Sequence, residues 1–249
     1  MIEAQVQSTA NGAIVHDRAL AATPDERWFD GAHWSAGGDG PSAGRGNAVF
    51  VETPAGACVL RHYHRGGLVA HFSSDRYLWT GARRTRAFRE FDLLVRLANA
   101  GLPVPRPVAA RYVRDGMRYR ADLLTRRIAN ARTLAERLAD GSLTPSLAHD
   151  VGRTIAAFHE ARVWHADLNA HNVLIDADGT VWLIDFDRSG LRKPSLSWQA
   201  ANLARLRRSL DKLGAARVGD FDARFWHPLL AAYHEALARP ESASRGAAS

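Results

Sequence analysis

Apolar residues along this chain change their spacing near residue 128, from short extended runs before it to helical stripes after it. Residues 47–51 and 57–62 read as strands joined across Thr53-Pro54-Ala55-Gly56, a hairpin pattern. Ala87, Phe88, Phe91, Leu94, Val95 and Ala98 form one helical stripe over residues 83–98, and Gly101, Pro103, Pro105 and Pro107 end it. Residues 108–112 and 118–124 follow as strands around Arg114-Asp115-Gly116. Beyond 128 the period is that of helices: a short one over 133–140, a second marked by Leu147, Val151, Ile155 and Phe158, a third over 196–212, and a last through Trp226, Leu229, Tyr233 and Leu237. Between the second and third, residues 173–175 and 181–184 are two short strands about the turn Asp176-Ala177-Asp178-Gly179. The pattern predicts an α+β chain of two lobes. Residues 1–127 form a small, mostly β lobe with one helix, 128–238 a larger, mostly helical lobe, and 239–249 a mobile tail with nothing to bury.

The short hairpin carries the candidate chemistry. Its segment reads HADLNAHNVLIDADGTVWLIDFD from His165 to Asp187, with Asn172 before one strand and Asp185 after its neighbour. Antiparallel pairing lets those two side chains converge, and two oxygen ligands beside phosphates and waters suit Mg2+. Asp167, five residues before Asn172 on the loop, is free to orient or deprotonate an attacking hydroxyl. Turn chemistry alone accounts for Asp176 and Asp178 but for neither Asn172 nor Asp185.

This segment resembles the catalytic and metal-binding loops of the protein-kinase-like fold, HxDxxxxN followed by DFG. Its wording, WHADLNAHNVLID and WLIDFDRSG, is more closely similar to the bacterial lipopolysaccharide-core kinases, those of 3-deoxy-D-manno-octulosonic acid (Kdo) among them. The likeness runs from roughly Gly44 to Leu213, is most specific over 164–190 and is weak over the first forty residues. It implies a protein-kinase-like two-lobed fold with Asp167 as the catalytic Asp, His165 as the brace of its loop, and Asn172 and Asp185 as the metal ligands. It further implies ATP, with its phosphates under a loop at Gly44, Arg45 and Gly46 and against a basic residue on the second strand of the first hairpin. That residue is Arg61, since no Lys precedes Lys193. Glu90 is the only acid between Thr80 and Phe91 and so the candidate to hold Arg61; the competing reading is a solvated helix acid paired with Arg86 at i−4. The chain departs from the protein-kinase pattern in three places: Arg61 for Lys, Asp187 for the Gly of DFG, and Ala48 where GxGxxG continues.

Charge adds a partner. The net charge is +7, yet residues 61–127 hold fifteen Arg against five acids. Such a field favours a polyanion: nucleic acid, an anionic membrane or a phosphorylated lipid. No nucleic-acid-binding motif accompanies it, so no nucleic-acid partner is expected. By the resemblance, the partner is an anionic glycolipid, a Kdo-lipid A precursor, met peripherally at the cytoplasmic face of the bacterial inner membrane. No run of eighteen apolar residues occurs, the first residues lack the pattern of a secretory leader, and the single Cys58 reads as a buried small hydrophobe. The acceptor stays open among Kdo, a core heptose, an aminoglycoside and a choline-like alcohol. A non-catalytic nucleotide- or lipid-binding relative would also explain Arg in place of Lys, but would leave Asp167, Asn172 and Asp185 with nothing to do.

Overall fold

The computed structural model describes residues 1–37, 48–63 and 77–238. The chain divides into two compact units, Met1–Ile128 and Ala129–Ser249. Gly44, Arg45 and Gly46, the Gly66-Gly67 pair and the tail from 239 lie outside the described residues.

The first unit is built on a seven-stranded antiparallel sheet. Its strands are β1 (Ala4–Thr9), β2 (Gly12–Asp17), β3 (Ala48–Thr53), β4 (Gly56–His62), β5 (Tyr77–Leu78), β6 (Pro107–Asp115) and β7 (Arg118–Arg126). They lie in the order β1-β2-β6-β7-β4-β3, with β5 on β7. Helix α1 (Arg86–Asn99) covers one face with Phe88, Phe91, Leu94 and Leu97, and Phe88 meets Tyr112 of β6 edge to face at 5.2 Å. The opposite face holds a second core: Ile14, Val51, Cys58, Leu60 and Leu124 pack with Ala21 and Phe29, and Trp28 and Trp34 lie against it. Period-two alternation therefore sorts β4. Cys58 and Leu60 face the second core, whereas Arg61 and Tyr63 reach Glu90 of α1. Residues 1–37 thus supply two strands and the cover of a sheet face. The Cys58 thiol is fully buried, which raises its pKa.

The second unit is mostly helical. Strand β8 (Arg132–Thr133) leads into α2 (Leu134–Ala139), whose start is a capping box. Thr133 Oγ1 accepts from the Glu136 N–H at 3.1 Å while the Glu136 carboxylate accepts from the Thr133 N–H at 2.7 Å. Helix α3 (Pro145–Glu160), with Pro145 in its first turn, buries Leu147, Val151, Ile155 and Phe158, the stripe expected of it. Strand β9 (Val163–Trp164) then pairs with β12 (Gly190–Leu191), and β10 (Val173–Ile175) pairs with both β11 (Val181–Leu183) and β8. Helix α4 (Leu196–Lys212) follows, and a π-helical turn over Asp222–Trp226 runs into α5 (His227–Ala238), which packs along α3. A β-rich unit with one helix followed by a mostly helical one is the architecture of the protein-kinase-like fold. No helix among the described residues is long and apolar enough to cross a membrane.

Candidate active site

The loop between β9 and β10 is tied down at nearly every residue. His165 is buried, its Nδ1 accepting from the Asp167 N–H at 3.1 Å and its Nε2 lying 3.0 Å from the Ile184 carbonyl. An acceptor at Nδ1 leaves the proton on Nε2, so the ring is neutral, and burial lowers its pKa from the ordinary value of 6.5. It sits against Phe186 with centroids 4.8 Å apart, and Phe186 in turn stacks on Phe158 of α3 at 5.8 Å. One imidazole thus joins the loop bearing Asp167 to the strand end bearing Asp185.

Helix α4 holds the same loop from another side. Asn202 accepts from the His165 N–H at 3.3 Å and donates to the His165 carbonyl at 2.8 Å, while Ser209 Oγ accepts from the Ala170 N–H at 3.1 Å. Ser189 Oγ accepts from the Ala166 N–H at 3.0 Å, and the Ala135 N–H of α2 reaches the Ala170 carbonyl at 3.0 Å. The backbone is fixed while the Asp167 side chain remains 56% exposed. Asn169 Nδ2 holds its Oδ2 at 3.0 Å, and Arg205 of α4 approaches its Oδ1 at 3.4 Å. A rigid loop presenting an accessible carboxylate is what a reacting hydroxyl requires.

Asn172 donates through Nδ2 to the Asp167 carbonyl at 2.9 Å, which leaves its own amide oxygen as acceptor or ligand. Its backbone carbonyl takes the Ile184 N–H at 3.0 Å, so Asp185 lies one residue past the position opposite Asn172. Asp185 has φ 61, a left-handed conformation uncommon outside Gly, Asn and Asp, and it turns the chain sharply at the end of β11. Asn172 and Asp185 both offer side-chain oxygens, which would suit a Mg2+ ion completed by phosphates and water. Asp176 serves the turn instead. Its Oδ1 accepts from the Asp178 and Thr180 N–H groups and its Oδ2 from Trp182 Nε1, which pins the hairpin.

In the first unit Arg61 pairs with Glu90, and Tyr63 donates its hydroxyl to the same carboxylate at 2.6 Å. Glu90 is 3% exposed, which overturns the reading of a solvated helix acid. The buried Tyr63 hydroxyl has its pKa pushed well up by burial, so it stays a donor.

Asn169, Asn202, Arg205, Ser189 and Ser209 are not singled out by the sequence pattern. Asn202 leaves a trace there: a polar residue one place before Leu203 and four before Leu206, on the stripe that buries α4.

A neutral His bracing the loop of an exposed Asp, an Asn five residues on, and an Asp closing the adjoining strand define a phosphotransferase of the protein-kinase-like class. The family model of the lipopolysaccharide kinase (Kdo/WaaP) family matches residues 38–233, and the chain belongs to that family. It is 50% identical over 211 residues to a 3-deoxy-D-manno-octulosonic acid kinase of Stenotrophomonas maltophilia (strain R551-3), covering 83% of each chain. It is 48% identical over 233 residues, 92% of each chain, to a kinase of the same name from Xanthomonas campestris pv. campestris (strain B100).

Proposed function

We propose that the protein transfers the γ-phosphoryl group of ATP to the 4-hydroxyl of Kdo on Kdo-lipid IVA, working peripherally at the cytoplasmic face of the bacterial inner membrane. The observation that carries this reading is the exposed Asp167 carboxylate on a loop fixed by His165, Asn202 and Ser209, in a chain about half identical to Kdo kinases. Asp167 orients the acceptor hydroxyl and takes its proton as the new P–O bond forms and ADP leaves in line. Asn172 and Asp185 would hold Mg2+, which when bound neutralises charge on the phosphates. Arg61 faces the nucleotide phosphates, kept in place by Glu90 and Tyr63; its planar fork grips phosphate where protein kinases use an ammonium. Gly44, Arg45 and Gly46 would cover the phosphates with backbone N–H groups.

The protein is incubated with Mg2+, γ-labelled ATP and Kdo-capped lipid A precursor, beside a heptose-containing core and an aminoglycoside. Label is expected in the Kdo product, and its absence there sinks the assignment. Asp167→Asn should reduce turnover by about 10²–10⁴-fold with nucleotide affinity retained. Turnover within a few fold of the parent would remove Asp167 from the catalytic role.

A further inference from the structure

Three side chains of α4 follow the loop between β9 and β10 in register. Asn202, Arg205 and Ser209 stand at i, i+3 and i+7 and meet His165, Asp167 and Ala170 in that order. The outer two bind backbone and fix the loop. Arg205 differs: its one hydrogen-bond or ion-pair partner among the described residues is Asp167, whose Oδ1 it approaches at 3.4 Å, and its side chain is 47% exposed. A loose, solvated ion pair of that kind adds little to stability. Asp167 is already held through Oδ2 by Asn169. Most of the five guanidinium donors therefore stay available to a ligand that binds beside Asp167.

Building on the function proposed above, we infer that Arg205 binds the carboxylate of the acidic sugar acceptor and thereby selects for a sugar acid. Asn172 meets the backbone carbonyl of Asp167, whereas Arg205 meets the tip of its side chain, where the acceptor hydroxyl must sit. In a 2-ulosonic acid the carboxylate is borne two ring positions from the 4-hydroxyl, so one sugar ring can offer its hydroxyl to Asp167 and its carboxylate to the neighbouring fork. Guanidinium matches carboxylate with two parallel hydrogen bonds, which a neutral heptose or a cationic aminoglycoside cannot return.

The test compares Kdo-lipid A precursor with its carboxamide counterpart, for the parent protein and for Arg205→Ala and Arg205→Lys. In the parent, the carboxamide should lower kcat/KM by roughly ten- to a hundredfold. Arg205→Ala should show that loss on the acid, carried by the acceptor KM and not by the KM for ATP, and no further loss on the carboxamide; Arg205→Lys should recover part of it. Losses of equal size on acid and amide would make Arg205 a support of Asp167 and overturn the inference. So would a rise confined to the KM for ATP, which would assign the guanidinium to phosphoryl oxygens. A parent that accepts acid and amide alike overturns this inference alone. A parent that labels neither overturns the proposed function, and this inference with it. Thermal melting of each variant, expected to match the parent because the pair is half-exposed, separates these effects from misfolding.

Discussion

His165 and His159 are buried as neutral rings for different purposes. His165 braces the Asp167 loop, and His159 on α3 lies 2.8 Å through Nδ1 from the Tyr233 hydroxyl of α5. Burial lowers both pKa values, that of His159 to about 4, and pushes Tyr233 up to about 12. Between about pH 4 and 6.5 the unfolded chain binds more protons at His159 than the native one, so stability rises with pH across that window and is lost as pH falls through it; the lowered His165 acts in the same direction. Urea denaturation from pH 7 to pH 4.5 should show the unfolding free energy falling by up to about 1.4 kcal/mol per pH unit from His159 at the steepest point, with a further fall of the same sign from His165. A flat profile would mean that neither ring is held neutral. At this scale Asp167, Asn172 and Asp185 are legible as candidates because each is spaced from a recognisable strand. Asn202 and Ser209 are not: their partners are backbone groups 37 and 39 residues away, and no local pattern encodes that distance.

Elements with a sustained period are legible in the sequence, and those without one are not. Helix α4 is expected over 196–212 and spans Leu196–Lys212, while α1 begins at Arg86, three residues later than expected, after a 3-10 turn at Ala82–Arg84. Strand β1 escapes the sequence pattern because AQVQST is an edge strand whose Val6 is exposed, so it has no apolar alternation. β8, β9 and β12 are two residues each, too short for any period. The packing of α3 on α5 rests on Gly152, where a Cβ would stand 2.3 Å from the Leu229 carbonyl oxygen and 3.0 Å from the Tyr233 N. Alanine is the better helix former, yet here it must push α5 away. Gly152→Ala should therefore destabilise by about 1–3 kcal/mol in chemical denaturation. A gain in stability would show that the helices part at little cost.

For the molecule as a whole, the concentrated basic charge is partly spent inside the first unit. Several of the fifteen arginines between 61 and 127 serve the first unit itself: Arg61 pairs with Glu90, Arg106 with Asp17 and Arg111 with Asp122, and Arg114 and Arg127 lie over Trp79 and Phe50. The membrane attraction expected from this charge would then be a matter of summed field more than of individual contacts. Binding to anionic vesicles should weaken steadily between about 50 and 500 mM salt, as the screening length shortens, and salt-independent binding would assign it to apolar insertion. The β-rich then helical order was legible from the change of period near 128, whereas the protein-kinase-like fold was legible only through the resemblance of the segment from His165 to Asp187.

The family match begins at residue 38, whereas the folded unit begins at the N-terminal hairpin. Ile2 donates its N–H to Asn99 at the end of α1, β2 pairs along β6, and Gly12 fits where a Cβ would stand 1.9 Å from the Tyr112 carbonyl oxygen. A chain cut to the matched segment would leave β6 as an open edge and uncover Cys58, Leu60 and Leu124, inviting edge-to-edge aggregation. The span that the family model matches and the span that folds are therefore different lengths of this polypeptide, and the second is the one a truncation has to respect.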